Sequence, residues 1–157
     1  MDRIERIIFV GKCGNRREPM AEGIFKDCWN GPEVEVLARG LIVQFPEPMN
    51  QKAEAILISN GIHLEEYTSV QFQEKELTEN TLVLAMEQSQ RAKVLDMCPE
   101  ATEEQVQVLT DYVGDELEIM DPYGGTLQAY GLCYETLRKS IKKLVKKLNE
   151  GEERWQK

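Results

Sequence analysis

A chain of 157 residues with 41% hydrophobic content has room for one α/β domain around a continuous core and is short for two. Its net charge of −9 argues against a nucleic-acid partner, because phosphate backbones are bound through clustered Lys and Arg. Asp2, Arg3, Glu5 and Arg6 interrupt the N-terminal apolar run, and no later run reaches membrane-span length, so a cytoplasmic, non-membrane protein is expected.

In chain order, Arg6 to Val10 is a short apolar run ending at Gly11, and Pro19 opens a segment with Met20, Ala21, Ile24, Phe25 and Cys28 at helical spacing. Gly31-Pro32 breaks that helix, Val34 to Ala38 alternates like a strand, and Asn50 to Asn60 reads as a helix with Gly61 at its C-cap. Thr81 to Ala85 predicts another strand, Gln88 to Met97 a helix stopped by Cys98-Pro99, and Gln105 to Leu109 a fourth strand. Tyr112 to Gly125 reads as a loop, followed by a long helix from about Thr126 to Asn149. Strands alternating with helices imply a three-layer α/β fold, a four-stranded parallel sheet with helices on both faces. Residues 1–149 are expected to form one domain and 150–157 a flexible charged tail, in which Trp155 is a possible partner contact.

In such a sheet ligands sit at the carboxyl ends of the strands, which directs attention to the first loop. Gly11, Lys12, Cys13, Gly14, Asn15, Arg16, Arg17 and Glu18 join a strand to a helix N-terminus, where free amides and the helix dipole favour an anion. Arg17 has the fork geometry to clamp a phosphate or carboxylate. Four scattered cysteines (Cys13, Cys28, Cys98 and Cys133) and a single histidine, His63, signal neither a zinc site nor a disulfide framework. No metal or cofactor is expected. Cys28 and Cys133 read as packing residues and His63 as a surface residue. The basic run Arg138 to Lys147 reads as the wet face of an amphipathic helix.

The stretch Val10 to Glu22 resembles the active-site loop of the low-molecular-weight protein tyrosine phosphatases, which usually reads V-C-x-G-N-x-C-R-S-P-M-A-E. Val10, Arg17, Pro19, Met20, Ala21 and Glu22 fall on that pattern without gaps, and Asp121-Pro-Tyr-Gly-Gly125 resembles the motif carrying the family's general acid. Ala38-Arg-Gly40 and Glu47-Pro48 look like the family's S-A-G and the loop after it. The resemblance implies a phosphomonoester hydrolase acting on phosphorylated proteins, with Arg17 holding phosphate, Asp121 as general acid and Tyr123 as a pocket wall.

The departures from the pattern fall where the chemistry is done. Gly11 occupies the nucleophile position, and glycine cannot attack phosphorus or carry a phosphoryl group. Glu18 replaces the serine that supports the family's thiolate. It either brings a carboxylate into the anion site or points to solvent at the helix N-terminus. Cys13 and Arg17 are separated by three residues rather than the required five, so a ring of amides around phosphate would not close on the Cys13 sulfur. Arsenate reduction, a further activity of the family, needs the same cysteine plus a relay pair.

The leading expectation is therefore a catalytically impaired pseudophosphatase that binds a phosphorylated or other anionic group, or a protein partner. The alternative is an active phosphomonoester hydrolase using Cys13, or a water with Asp121. A third reading has Glu18 filling the pocket by pairing with Arg17 or Arg16, so that the chain acts as an interaction or oligomerisation protein.

Overall fold

The first strand decides where everything else goes. In the computed structural model, which describes residues 3–150, β1 (Arg6–Gly11) carries Ile7, Ile8, Phe9 and Val10, all fully buried. A strand apolar on both sides must lie inside a sheet covered on both faces. It does, in a parallel four-stranded sheet of order β2-β1-β3-β4, with β2 (Glu35–Gly40), β3 (Thr81–Ala85) and β4 (Val106–Val108). β3 is buried throughout, whereas β2, at the edge, buries alternate residues. Residues of opposite parity on β1 feed two cores. Ile7 and Phe9 join Leu82 and Leu84 beneath α1 (Arg17–Cys28), α2 (Gln51–Ser59) and α5 (Leu127–Glu150). Ile8 and Val10 join Val83, Val106 and Phe72 beneath α3 (Gln88–Met97).

α5 shows how the helices are held. Tyr130, Cys133, Tyr134, Leu137, Ile141, Leu144 and Leu148 are buried along one stripe, and each such apolar side chain contributes about 1.5–3 kcal/mol by leaving water. Thr126 Oγ1 accepts from the Ala129 amide (3.2 Å) and caps the helix start. Asn50 does the same for α2, accepting from Lys52 (2.9 Å) and Ala53 (3.2 Å). Cys28 is half-buried against the larger core, Cys133 is buried and His63 is exposed. Among the described residues no helix is long and apolar enough to cross a membrane.

Several boundaries differ from expectation by a residue or two, β2 among them at Glu35–Gly40 rather than Val34–Ala38, and two of the differences have a clear physical reason. The fourth strand stops at Val108, and Leu109–Val113 forms a short helix, α4, ending at Gly114 in the left-handed region (φ +83°). Leu109 and Thr110 are fully buried, and Tyr112 and Val113 pack on the larger core, a helical spacing that the apparent Val/Leu alternation hid. The first helix begins at Arg17, two residues before Pro19, because proline is tolerated in the first turn, where amides have no partner in the helix. The last helix runs through Glu150, and the tail with Trp155 lies outside the described residues.

Candidate active site

β1 has β2 on one side and β3 on the other, which makes its carboxyl end the switch point where open parallel sheets bind ligands. The segment from Gly11 to Glu18 leaves the strand there. Its carbonyls are taken from outside. Gly11 O accepts from Leu41 N (3.0 Å), Lys12 O from Ile42 N (2.9 Å), Asn15 O from Asn50 N (2.9 Å) and Gly14 O from the Tyr67 hydroxyl (2.5 Å). With the oxygens so engaged, amides of Gly14 and Arg16 face into the loop, the arrangement that cradles an anion. The turn depends on two glycines. Gly14 adopts φ +77°, and a Cβ on Gly40 would lie 2.6 Å from the Cys13 carbonyl carbon.

The cradle is filled from within. Glu18, in the first turn of α1, is 2% exposed, and its Oε2 accepts from the Gly14 amide (3.2 Å) while Oε1 accepts from the Arg16 amide (3.4 Å). A Cβ on Gly11 would lie 1.9 Å from Glu18 Oε2 and 2.5 Å from its Cδ. The carboxylate thus occupies the space that any side chain at position 11 would need. Burial pushes the Glu18 pKa above the ordinary carboxylate range, against the opposing pull of the loop amides and of Arg17 and Arg16. The solvent-facing orientation considered for Glu18 is thereby ruled out by its burial. Pairing with Arg16 takes an unexpected form, since Glu18 takes that residue's amide.

The two guanidinium groups are engaged elsewhere. Arg17, 1% exposed, donates to Ile119 O (2.7 Å) and to Glu87 Oε2 (3.2 Å), with Asp121 Oδ2 at 3.8 Å. Arg16 forms a fork on Asp121, Nε to Oδ1 and Nη2 to Oδ2, both 2.9 Å, and lies 4.8 Å from the centre of the Tyr123 ring. Burial alone would raise the Asp121 pKa, but the Arg16 hydrogen bond, the charges of Arg17 and Arg16 and the Tyr123 amide hold it below the ordinary value. Tyr123 is 76% exposed and stands over Arg16 at the rim. Cys13 is half-buried beside the Arg16 guanidinium, and Lys12 is exposed.

The sequence-predicted residues of the first loop and Asp121 thus meet at one place, across 105 residues of chain. Glu87, Tyr67 and the Ile119 carbonyl were not foreseen as participants. Glu87 lies two residues beyond β3 and caps α3, so the rule of strand carboxyl ends could have found it. Tyr67 comes from an irregular segment and carries no such signal. Among the described residues no group of three or more His, Cys, Asp or Glu side chains is placed to hold a metal.

Comparison with known proteins agrees with this architecture. A low-molecular-weight protein-tyrosine-phosphatase of Staphylococcus aureus is 32% identical over 140 residues, spanning 88% of this chain and 96% of its own. A protein-arginine-phosphatase of Geobacillus stearothermophilus is 27% identical over 143 residues, spanning 91% and 95%. The solved structure of an arginine phosphatase from Geobacillus stearothermophilus superposes with a TM-score of 0.84 at 28% identity, covering 92% of this chain and 93% of that one. The sequence profile described as low molecular weight phosphotyrosine protein phosphatase matches residues 6–154, and the chain belongs to that family.

Proposed function

We propose that this member of the family does not turn over phosphomonoesters and works as a binding protein, a pseudophosphatase. The observation that carries the reading is the space at the end of β1. Position 11 has no side chain to attack phosphorus, and the Glu18 carboxylate fills the volume beside it while using two of the amides that would hold a phosphate. Asp121 adds a second obstacle. A general acid must carry a proton, whereas both Asp121 oxygens are held by Arg16 and its pKa is lowered. A phosphorylated ligand would have to displace a buried carboxylate from the cradle. A protein partner gripping the rim would not, and this favours a protein as the ligand.

Relatives named as tyrosine and arginine phosphatases define the substrates to test. Purified protein is assayed with an aryl phosphate, a phosphotyrosine peptide and a phosphoarginine peptide, beside Cys13→Ser, Asp121→Asn and the double variant Gly11→Cys/Glu18→Ser. The expected result is a silent parent and measurable hydrolysis by the double variant. Parental turnover abolished by Cys13→Ser, or by Asp121→Asn, would overturn the proposal in favour of a working hydrolase.

A further inference from the structure

We propose that the Glu18 carboxylate is a removable plug, and that its ionisation opens the first loop as a binding site for a tetrahedral oxyanion. The inference rests on the reading that Glu18 fills the cradle, and it adds the condition under which the cradle empties. Two observations make the plug separable from the loop. The carbonyls of Gly11, Lys12, Gly14 and Asn15 are held by Leu41, Ile42, Tyr67 and Asn50, so the loop keeps its shape without Glu18. Glu18 itself accepts from the Gly14 and Arg16 amides at 3.2 and 3.4 Å, long for a charged acceptor. Its departure leaves two inward-facing donors beside a residue with no side chain, and buried donors need a partner. A phosphate or sulfate supplies one.

Charge decides when the plug leaves. Arg16 is committed to Asp121 and Arg17 to Glu87, and among the described residues neither forms a salt bridge with Glu18. An ionised Glu18 is therefore a charge at 2% exposure without a cation of its own, and such a charge is costly to keep. Burial raises the Glu18 pKa in the cradle, whereas the displaced side chain in water keeps the ordinary glutamate value. Protonation thus stabilises the plugged state, fully below the ordinary value, and this stabilisation is lost as pH rises through the raised one. The other titratable groups facing Glu18 are Cys13, beside the Arg16 guanidinium, Cys133 of α5, and Tyr67, which also feels Glu22 and Arg39. Burial pushes the Cys133 thiol up to about 12 and raises the Tyr67 hydroxyl as well, so both stay neutral while Glu18 titrates. The result is an anion site that strengthens as pH rises. Ordinary anion sites do the reverse, because acid adds positive charge.

The test is calorimetric titration with inorganic sulfate, whose charge is constant between about pH 4 and about pH 8, at fixed ionic strength. For the parent, affinity should rise about tenfold per pH unit between the ordinary and the raised Glu18 values, with protons released on binding. Glu18→Gln keeps a neutral plug at every pH and should not bind. Glu18→Ser removes the plug, retains every neighbouring group and should bind throughout, following the ordinary trend. Inorganic phosphate and phosphoserine, compared at about pH 8, distinguish a free anion from a phosphorylated side chain as the source. Parental binding that weakens steadily as pH rises would overturn the proposal, as would equal binding by the glutamine and serine variants. Binding by Glu18→Ser but never by the parent would overturn it by showing a fixed plug, and no binding by either would show that the loop is no anion site. Near-ultraviolet circular dichroism checks that the variants fold, and the parental pH profile needs no variant. Phosphomonoester hydrolysis by the parent would remove the pseudophosphatase reading but leave the sulfate profile standing, so the two failures are distinguishable.

Discussion

Two carboxylates stand within one site and have opposite environments. Glu18, in the first loop, is enclosed and served by backbone amides, and burial raises its pKa. Asp121, in the loop before α5, is partly open and gripped by a guanidinium, and its pKa is lowered. The first loop carries glycine where the family pattern has cysteine, while the second keeps its whole motif. Asp-Pro-Tyr-Gly-Gly has uses beyond proton transfer. Asp121 Oδ1 accepts from the Tyr123 amide (3.1 Å), Gly124 takes φ +73°, and Gly125 N closes a turn on Pro122 O (2.8 Å) that leads into α5. A motif that shapes a turn has a structural use apart from any catalytic one, whereas a nucleophile has none.

The sharpest way to break this contrast is to restore the side chain at position 11. Gly11→Cys alone must collide with Glu18, and a loss of about 3 kcal/mol is expected in urea unfolding, without any gain of hydrolysis. Adding Glu18→Ser should recover about 1–3 kcal/mol as a coupling energy between the two positions. Additive effects would mean that Glu18 does not occupy that space. Next in size, Arg17→Ala should cost about 2–3 kcal/mol, because it removes a buried cation and strands the Ile119 carbonyl. A change under half that size in the same unfolding assay would show that Glu87 and Ile119 find water instead.

Titration separates the two carboxylates more directly. The stability that the native protein holds over Asp121→Asn, about 1 kcal/mol for a half-exposed fork, should be present above the ordinary aspartate value of about 3.9 and vanish as pH falls through the lowered native pKa. Glu18→Gln should show the reverse trend. The native protein loses stability relative to this variant as pH rises through the raised Glu18 pKa, because ionising a buried group is costly in the fold and free in the unfolded chain. Parallel trends in thermal melts across the acid range would erase the distinction. The smallest effect is expected for Cys13→Ser, within about 0.5 kcal/mol, since the thiol is half-buried and belongs to neither core cluster of the described residues.

Much of the fold was legible from residue pattern. β1 and β3 are unbroken apolar runs because both of their faces are covered, and the α5 stripe repeats at helical spacing because one face meets the core. The segment from Gln105 to Val113 was not legible, because alternation over so few residues fits a strand and the start of a buried helix alike. At the site, the first loop and the Asp121 motif were singled out by their resemblance to the family pattern, and the structure brings Arg16 of the one onto Asp121 of the other.

The sequence by itself determined that the chain has a phosphatase-like loop without a cysteine at its head, since covalent chemistry depends on which atoms are present. It could not determine where the Glu18 carboxylate would point, nor that Arg16 would hold Asp121. Those outcomes depend on which groups the fold brings within hydrogen-bond distance and which it removes from water. Gly11 and Glu18 lie seven positions apart and Arg16 and Asp121 105 apart, and only the packed sheet and helices set their separations in space.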